Sequence, residues 1–569
     1  MELKKKITLQ IQSVVRQLFD VDIEVELTVP DAQFGDFSTN VAMQLAKTLD
    51  KSPRNIADEI SHRLSDDGVR NEVAGPGFIN IHVKNSVLAE CITEVLDKGD
   101  DFGSNELYKD KIIVAEYSDL NAFKTAHAGH LYTTLVGDAI SNLFEAAGAT
   151  VQRTNFGGDV GLHVGKAMWA ILRNIQNEPA KLGSIPEIDR SSWVSARYIE
   201  GNDAYESDDE EAKREIAECN RLAYQVHAEN DHESVFAKVY WECRQWSYDG
   251  FEKLYDLLDI AKPEGSDLHF RYYPESETAP FGIALVEEGL RRGIFEKSDS
   301  AVVYKGEQDG LHTRVFMTSA GLPTYETKDL GLAERKWQDY HFDLSFMVTG
   351  NEIKEYMKVV LSALSHFRPE IAERTRHLTH GMVKLEGGLK MSSRKGTVVL
   401  PEEVLEAARL ANKEVSDKDQ PGTVLAAVKY AFLKQRLGGD IIYSPTDSVS
   451  TIGNSGPYLQ YAHARARSII TKSNIKQPSS MADLDASEHS LAKKVLEFPD
   501  VVSEAVNDLM PHHVCTYLYE LTQEFNRFYE TSTVVGDERE TQRIALLYAY
   551  TQVLANGLKL LGIQAPEKM

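Results

Sequence analysis

The chain has 569 residues, 42% of them hydrophobic and 26% charged, an ordinary composition for a soluble globular protein. It is too long for one core, so roughly two to four domains are expected. The net charge of −25 argues against general nucleic-acid binding, because phosphate contacts need lysine and arginine; affinity follows the local field, so a basic contact surface remains compatible with it. No apolar run reaches membrane-spanning length, and the charged start lacks the apolar stretch and cleavage site of a secretory signal. Four unpatterned cysteines, Cys91, Cys219, Cys243 and Cys515, fit a reducing compartment, so a cytoplasmic protein is expected.

The first hundred residues read as a small α/β module. Pro53 opens a helical pattern over 53–60, and 78–83 alternates like a strand. The polar, glycine-bearing stretch 97–103 reads as a linker. From Lys111 to about Leu400 the pattern is a Rossmann-like parallel α/β core, which opens on the strand-like run 111–116. Leu131, Leu135, Ala139 and Leu143 then recur every four residues, a helix with one buried face, and Gly148 supplies its stop. Glycine-rich 155–165 falls where a strand–helix loop opens toward a ligand. Between about 165 and 258 the chain turns polar and helical, an insertion separating two halves of a nucleotide fold. After Pro401 it reads as helical to its end, with helix-spaced apolar residues over 487–498, 512–529 and 538–561 and a loop at 478–483. The expected division is 1–100, 101–400 and 401–569.

Two elements carry the chemistry. His127-Ala128-Gly129-His130 lies at the first turn of the helix after the first core strand, where unpaired N–H groups and the helix dipole favour an anion. Both imidazoles can donate to phosphate oxygens, and Gly129 lets the backbone approach a bulky ligand. The plain alternatives are a metal pair or two incidental histidines; the absence of a CxxC pair or a local Cys/His cluster speaks against metal. The second element is Lys390-Met391-Ser392-Ser393-Arg394-Lys395-Gly396, preceded by Gly387 and Gly388. Its lysines are point charges suited to phosphate, Arg394 binds it bidentately, and the serines add hydroxyl donors. A solvated basic turn accounts for the charges but not for Met391 and paired serines inside a glycine-bracketed loop. Together the two imply a nucleotidyl-transfer enzyme that grips phosphates from both sides.

At these motifs the chain resembles class I aminoacyl-tRNA synthetases, whose HIGH and KMSKS signatures match His127–His130 and Lys390–Arg394. The resemblance sharpens to the arginyl-tRNA synthetases over nearly the whole length: 121–127 looks like that family's lead-in to HIGH, 155–161 like its next loop, 454–465 like the start of its anticodon-binding helices, 561–569 like its C-terminus, and 75–80 like its appended tRNA-contacting domain. The resemblance implies activation of L-arginine with ATP to arginyl-adenylate and pyrophosphate, then transfer to the 3′-terminal adenosine of the cognate tRNA. ATP, Mg²⁺ travelling with it, arginine and the arginine-specific tRNA are the implied partners, with no dedicated protein metal site, no membrane and a monomeric enzyme.

By the same resemblance His127, His130, Lys390 and Lys395 are catalytic, and Gly129, Met391, Ser392 and Ser393 join them in holding ATP. Glu116, Asn121, Tyr325 and Asp329 would bind arginine. Phe78, Asn80 and His82 would meet the tRNA elbow, and Tyr458, Tyr461, Arg465 and Arg467 the anticodon. The chain departs from the family at Asp119-Leu120, where many members carry Ser-Pro, and at Glu352-Ile353, where a histidine often follows an acidic or amide residue; both put the pocket contacts in doubt. The alternatives are a class I synthetase for another cationic amino acid and a tRNA-binding paralogue without catalysis. Intact signature motifs speak against the second.

Overall fold

The computed structural model describes all residues except 1–2, 65–67, 387–398, 417–419, 474, 477 and 479. The chain opens with the helix Leu3–Phe19, whose Leu3, Ile7, Ile11 and Val15 form a buried stripe at helical spacing. It is followed by helices Val41–Leu49 and Pro53–Leu64 and by strands β1 (Phe37–Thr39), β2 (Val69–Ala74) and β3 (Phe78–Val83). These strands make an antiparallel sheet with β3 in the middle. The expected linker is mostly structure: the helix Asn85–Lys98 runs into it and a single 3₁₀ turn, Gly99–Asp101, completes it.

The central body is built on β4 (Ile112–Glu116), β5 (Thr150–Gly157) and β6 (Arg271–Pro274). A small antiparallel sheet follows, β7 (Glu296–Ser298), β8 (Ala301–Tyr304) and β9 (Arg314–Met317), and then β10 (Leu344–Gly350) and β11 (Thr375–His380). The main sheet is parallel throughout, in the order β11-β10-β4-β5-β6. Successive side chains alternate faces. Ile113 and Ala115 of β4, with Phe346 and Val348 of β10, enter the core under the helix Ala128–Ala146. Val114 and Met347 enter the opposite core, under helices Glu275–Arg292, Tyr325–Tyr340 and Lys354–Phe367. The insertion lies between β5 and β6 as helices Leu162–Asn174, Arg190–Glu206, Glu210–Ala228 and Val235–Leu257, around a core of their own.

After Pro401 the chain is helical with one exception. Strand β13 (Ile441–Tyr443) pairs in parallel with β12 (Val383–Leu385), a three-residue pairing too short to leave a periodic signal. The helix expected over 487–498 ends at Leu496, and a new one, Phe498–Asp508, starts around Pro499, which has no N–H to continue the first. Helices Gly456–Ser473, His512–Thr531 and Glu540–Leu560 complete the bundle. One contiguous cluster of buried side chains runs from Leu3 through the sheet to Ile563, so the N-terminal module, central body and C-terminal bundle pack as one mass. Among the described residues no helix is long and apolar enough to cross a membrane.

The bundle carries a charged centre. Glu488 is fully buried and accepts from Arg539 (2.9 and 2.7 Å) and from Arg543 (3.1 Å). Arg539 also pairs with Asp483 and Asp485 and Arg543 with Asp485 and Asp537, so Glu488→Ala removes the buried partner only and is expected to destabilise the bundle by about 1–3 kcal/mol. A lower urea midpoint by far-ultraviolet circular dichroism is the expected readout; an unshifted midpoint would mean that the remaining partners suffice.

Candidate active site at the switch point of the sheet

From β4 the chain winds toward β5 and β6 in one direction and, later, toward β10 and β11 in the other. Helices leave neighbouring strands on opposite sides there, which opens a crevice at the carboxyl ends of β4 and β10. The crevice is a cavity of about 490 Å³, lined by Glu116 at the end of β4 and Ser118, Asp119 and Asn121 beyond it, by Val348, Thr349 and Gly350 at the end of β10 and Glu352 and Ile353 beyond it, and by His127, Gly129, His130, Tyr325 and Asp329 among others. Asn121, Glu116 and both signature histidines are thus brought together with Tyr325 and Asp329.

The histidines meet in a way the sequence did not disclose. His127 is the N-cap of the helix, and its Nδ1 accepts from the backbone N–H of Gly129 (3.1 Å) and His130 (3.4 Å). His130 Nδ1 accepts in return from the N–H of His127 (3.2 Å). The remaining early N–H, that of Ala128, donates to the Val399 carbonyl (3.0 Å). The helix start is therefore closed by protein atoms, and an anion is not held by bare backbone N–H groups as the sequence suggested. Because each Nδ1 is an acceptor, each ring carries its proton on Nε2. The rings stack at 3.8 Å and present two parallel neutral donors. Burial holds both below the ordinary histidine range, His130 well below it, although Glu352 partly counteracts burial at His127. Gly129 serves this stack: a Cβ there would sit 2.9 Å from the His127 ring.

The other end of the cavity is acidic. Glu116 is buried and paired with Lys336, whose Nζ also reaches Ser345 Oγ at 3.2 Å. Glu275 is buried and paired with Lys328. Asp329 has no such cation among the described residues; its carboxylate accepts from the Tyr356 hydroxyl. Burial, reinforced by the negative charges of Glu116, Glu275 and Glu326, pushes Asp329 up to about 8 against the Tyr356 bond that lowers it. Asp119 is likewise driven well above the usual carboxylate range by burial and by Glu116, against the Phe156 N–H that it accepts at 2.9 Å. Ser118 and Asp119 both have left-handed backbone, φ 76° and 48°, the turn that swings Asp119 back toward β5. Asn121 Oδ1 accepts from Gly158 N at 2.8 Å, and a Cβ on Gly158 would lie 2.6 Å from that oxygen. Asn121 thereby keeps its Nδ2 donors, which have no protein partner among the described residues. Tyr325, one turn before Asp329 on the same helix, is at the rim and 57% exposed.

The basic loop, Lys390, Met391, Ser392, Ser393 and Lys395 included, lies outside the described residues. At the N-terminal module Phe78 is exposed and His82 half-buried, but Asn80 is buried and accepts from Ser38 Oγ at 2.9 Å inside the sheet, so it does not present its amide to a partner. Asn80 shares its face of β3 with Phe78 and His82, and the bond that covers it comes from the directly paired residue of β1. In the bundle Tyr461 is exposed, Tyr458 is half-buried and takes a bond from Asn526 (2.8 Å), Arg465 lies over the Tyr529 ring at 4.2 Å, and Arg467 pairs with Glu567 at 2.7 Å. The residues that sequence reasoning missed are Tyr356, Glu275 and Arg314, which all line the cavity. Asp119 and Glu352 were visible only as departures. Tyr356 lies 27 residues after its partner Asp329, and only the β10 crossover brings them together.

Known proteins fit this arrangement. The family profiles that match are the arginyl tRNA synthetase N terminal domain over 1–83, the catalytic domain of class I (R) tRNA synthetases over 91–442 and the DALR anticodon binding domain over 459–569. Arginine–tRNA ligases of Flavobacterium psychrophilum and Clostridium perfringens are 28% and 29% identical to the chain, each covered end to end. Two solved structures share the fold at 22% identity: Thermus thermophilus arginyl-tRNA synthetase, with a TM-score of 0.77 over 100% of both chains, and that of Plasmodium falciparum, with 0.79 over 100% of this chain and 99% of the other. With the catalytic profile alone spanning more than half of the 569 residues, the chain belongs to the arginyl-tRNA synthetase family of class I ligases.

Proposed function

We propose the following division of labour for the arginine–tRNA ligase reaction. The guanidinium of L-arginine enters over Asp329, with Glu116 and Asn121 beside it and Tyr325 covering it from the rim. The observation that carries this is the Asp329 carboxylate, half-buried in the cavity wall among other carboxylates without a cation of its own among the described residues. A planar cation with several N–H donors satisfies such a group better than a point charge does. ATP brings Mg²⁺ as part of the substrate and lies with its phosphates against the Nε2–H donors of His127 and His130. The arginine carboxylate then attacks the α-phosphorus, the bond to the β,γ-phosphates breaks, and pyrophosphate leaves with both electrons of that bond. Negative charge gathers on phosphate oxygens as this happens, so donors aimed there act mainly on the transition state. Lys390 and Lys395, with Met391, Ser392 and Ser393 around them, close over the departing phosphates. In the second step a hydroxyl of the tRNA's 3′-terminal adenosine attacks the adenylate carbonyl and AMP leaves.

The tRNA is held at two surfaces: Phe78 and His82 at the elbow, and Tyr458, Tyr461, Arg465 and Arg467 at the anticodon, where exposed rings can stack on unpaired bases. We divide the chain into an appended module, 1–100, a catalytic body from 101 with its insertion, and an anticodon bundle. The body spans 101–400 and the bundle 401–569 in this division, while the catalytic profile itself matches 91–442. The enzyme is taken to act in the cytoplasm as a monomer.

Three outcomes are expected. Asp329→Asn removes the charge-assisted partner of a buried guanidinium, worth about 2 kcal/mol or more, so the KM for arginine should rise at least about 30-fold while that for ATP hardly moves. Equal changes in both would reassign Asp329 to a structural role.

The pH dependence has a definite sign. Below about 8 the free Asp329 carboxyl holds a proton, which arginine must displace. Arginine affinity should therefore climb with pH, by up to about tenfold per unit, and level off above that value. Calorimetry in buffers of different ionisation enthalpy should detect a proton released near neutrality, and none with Asp329→Asn; release from both proteins alike would place the titrating group elsewhere.

Lys390→Ala should slow pre-steady-state adenylate formation by about tenfold to a thousandfold with arginine binding intact. An unchanged rate in the folded variant removes the loop from the mechanism.

A further inference from the structure

Where the N-terminal module packs on the anticodon bundle, one histidine turns both of its ring nitrogens to acceptors. His489, on the helix Ala486–Leu496, places Nε2 2.9 Å from Asp36 Oδ1 and Nδ1 2.8 Å from Asn85 Oδ1. The orientation of the Asn85 amide is fixed independently, because its Nδ2 donates to the Leu484 carbonyl at 2.9 Å. Its Oδ1 can therefore only accept, and Nδ1 of His489 must carry a proton. Asp36 is a carboxylate and accepts as well. Burial raises it, but the bond from His489, the Val83 N–H at 2.7 Å and the charges of His489 and Lys493 outweigh burial and hold it below its ordinary range. A neutral imidazole can serve only one of these two acceptors.

We propose that His489 stands as an imidazolium whose second proton locks the elbow-contacting module to the anticodon bundle, making it a positioning residue for tRNA. The charged and titratable groups around it are Asp36 from the module and Lys493 from its own helix, 3.6 Å from the same Asp36 oxygen and close to the Phe37 ring. The lock connects directly to the strand assigned to the elbow: Asp36 N donates to the Ile81 carbonyl (2.7 Å) and Asp36 Oδ2 accepts from Val83, both in β3. On its other side Glu488, the neighbour of His489, holds Arg539 and Arg543 at the start of the last helix. The helix Ala486–Leu496 thus carries, on consecutive residues, a bond toward β3 and a bond toward the terminal helix. Removing a proton from His489 breaks one link and leaves either Asp36 or Asn85 facing a lone pair.

The inference rests on the proposed tRNA surfaces, and two measurements on the full-length enzyme separate them. Hydrogen–deuterium exchange without tRNA should show 78–87 and 484–493 protected in the wild type. In His489→Gln and Asp36→Asn both segments should lose protection together. In aminoacylation both variants should raise the KM for tRNA by about fivefold, with kcat and the KM values for ATP and arginine unchanged, and the double variant should be no worse than either single one. Wild-type protection of both segments in the variants, or variants with unaltered tRNA KM, would overturn the lock. Failure of the wild type to charge any arginine tRNA would instead overturn the tRNA reading.

Discussion

Glu116, Asp119 and Asp329 bring three carboxylates to one crevice, where Glu116 is buried and the other two are half-buried beside charges of their own sign. Much of the central body serves to hold this arrangement. The helix Tyr325–Tyr340 contributes Lys328 and Lys336 on either side of Asp329, and each is already engaged, Lys328 with Glu275 and Lys336 with Glu116. The helix therefore neutralises the flanking acids and leaves Asp329 to a neutral phenol. Its raised pKa measures how far the free crevice is from satisfied. A bound guanidinium relieves that repulsion, so the same burial that weakens the free protein favours a cationic ligand.

At the other end of the cavity the order of priorities is reversed. There the charge comes from the ligand, and the protein supplies donors that are neutral and already oriented. The reciprocal caps between His127 and His130 fix both tautomers before any phosphate arrives. Protonating either ring at Nδ1 would break a cap, which is one reason besides burial that these rings resist a positive charge. Preorganised donors of this kind need no rearrangement as charge develops. The geometry also explains why a glycine stands between the histidines, since the stacked ring occupies the space that a side chain would need.

The parallel body, the inserted helices and the C-terminal bundle were legible in the sequence because long helices and buried strands leave periodic marks. The helix after His127 shows this well: Leu131, Leu135, Ala139 and Leu143 are all buried. Short pieces were not legible. The three strands β7–β9 and the pairing of β12 with β13 depend on contacts distant in sequence, and no local preference announces them. The site was half-legible for the same reason. His127, His130, Glu116 and Asn121 lie within 15 residues of each other and were found as a cluster. Tyr356 and Glu275 reach the cavity on helices from the other half of the fold, and the bond that covers Asn80 comes from Ser38 on a neighbouring strand.

A chain of charge −25 that must take up a polyanion raises the question of where attraction comes from. The arginines proposed to meet the anticodon carry little free positive charge even locally. Arg467 is engaged by Glu567 across a partly exposed contact, and Arg465 rests on the Tyr529 ring. A phosphate arriving at Arg467 exchanges one ion pair for another, and exposed pairs of that kind contribute little net free energy. Discrimination must then rest more on stacking and shape at Tyr458 and Tyr461 than on summed charge. An enzyme that must release its charged tRNA in every cycle gains from that balance, since strong phosphate binding would hold product as firmly as substrate. The acidic remainder of the surface works in the same direction, because it repels nucleic acid wherever the two dedicated surfaces do not hold it.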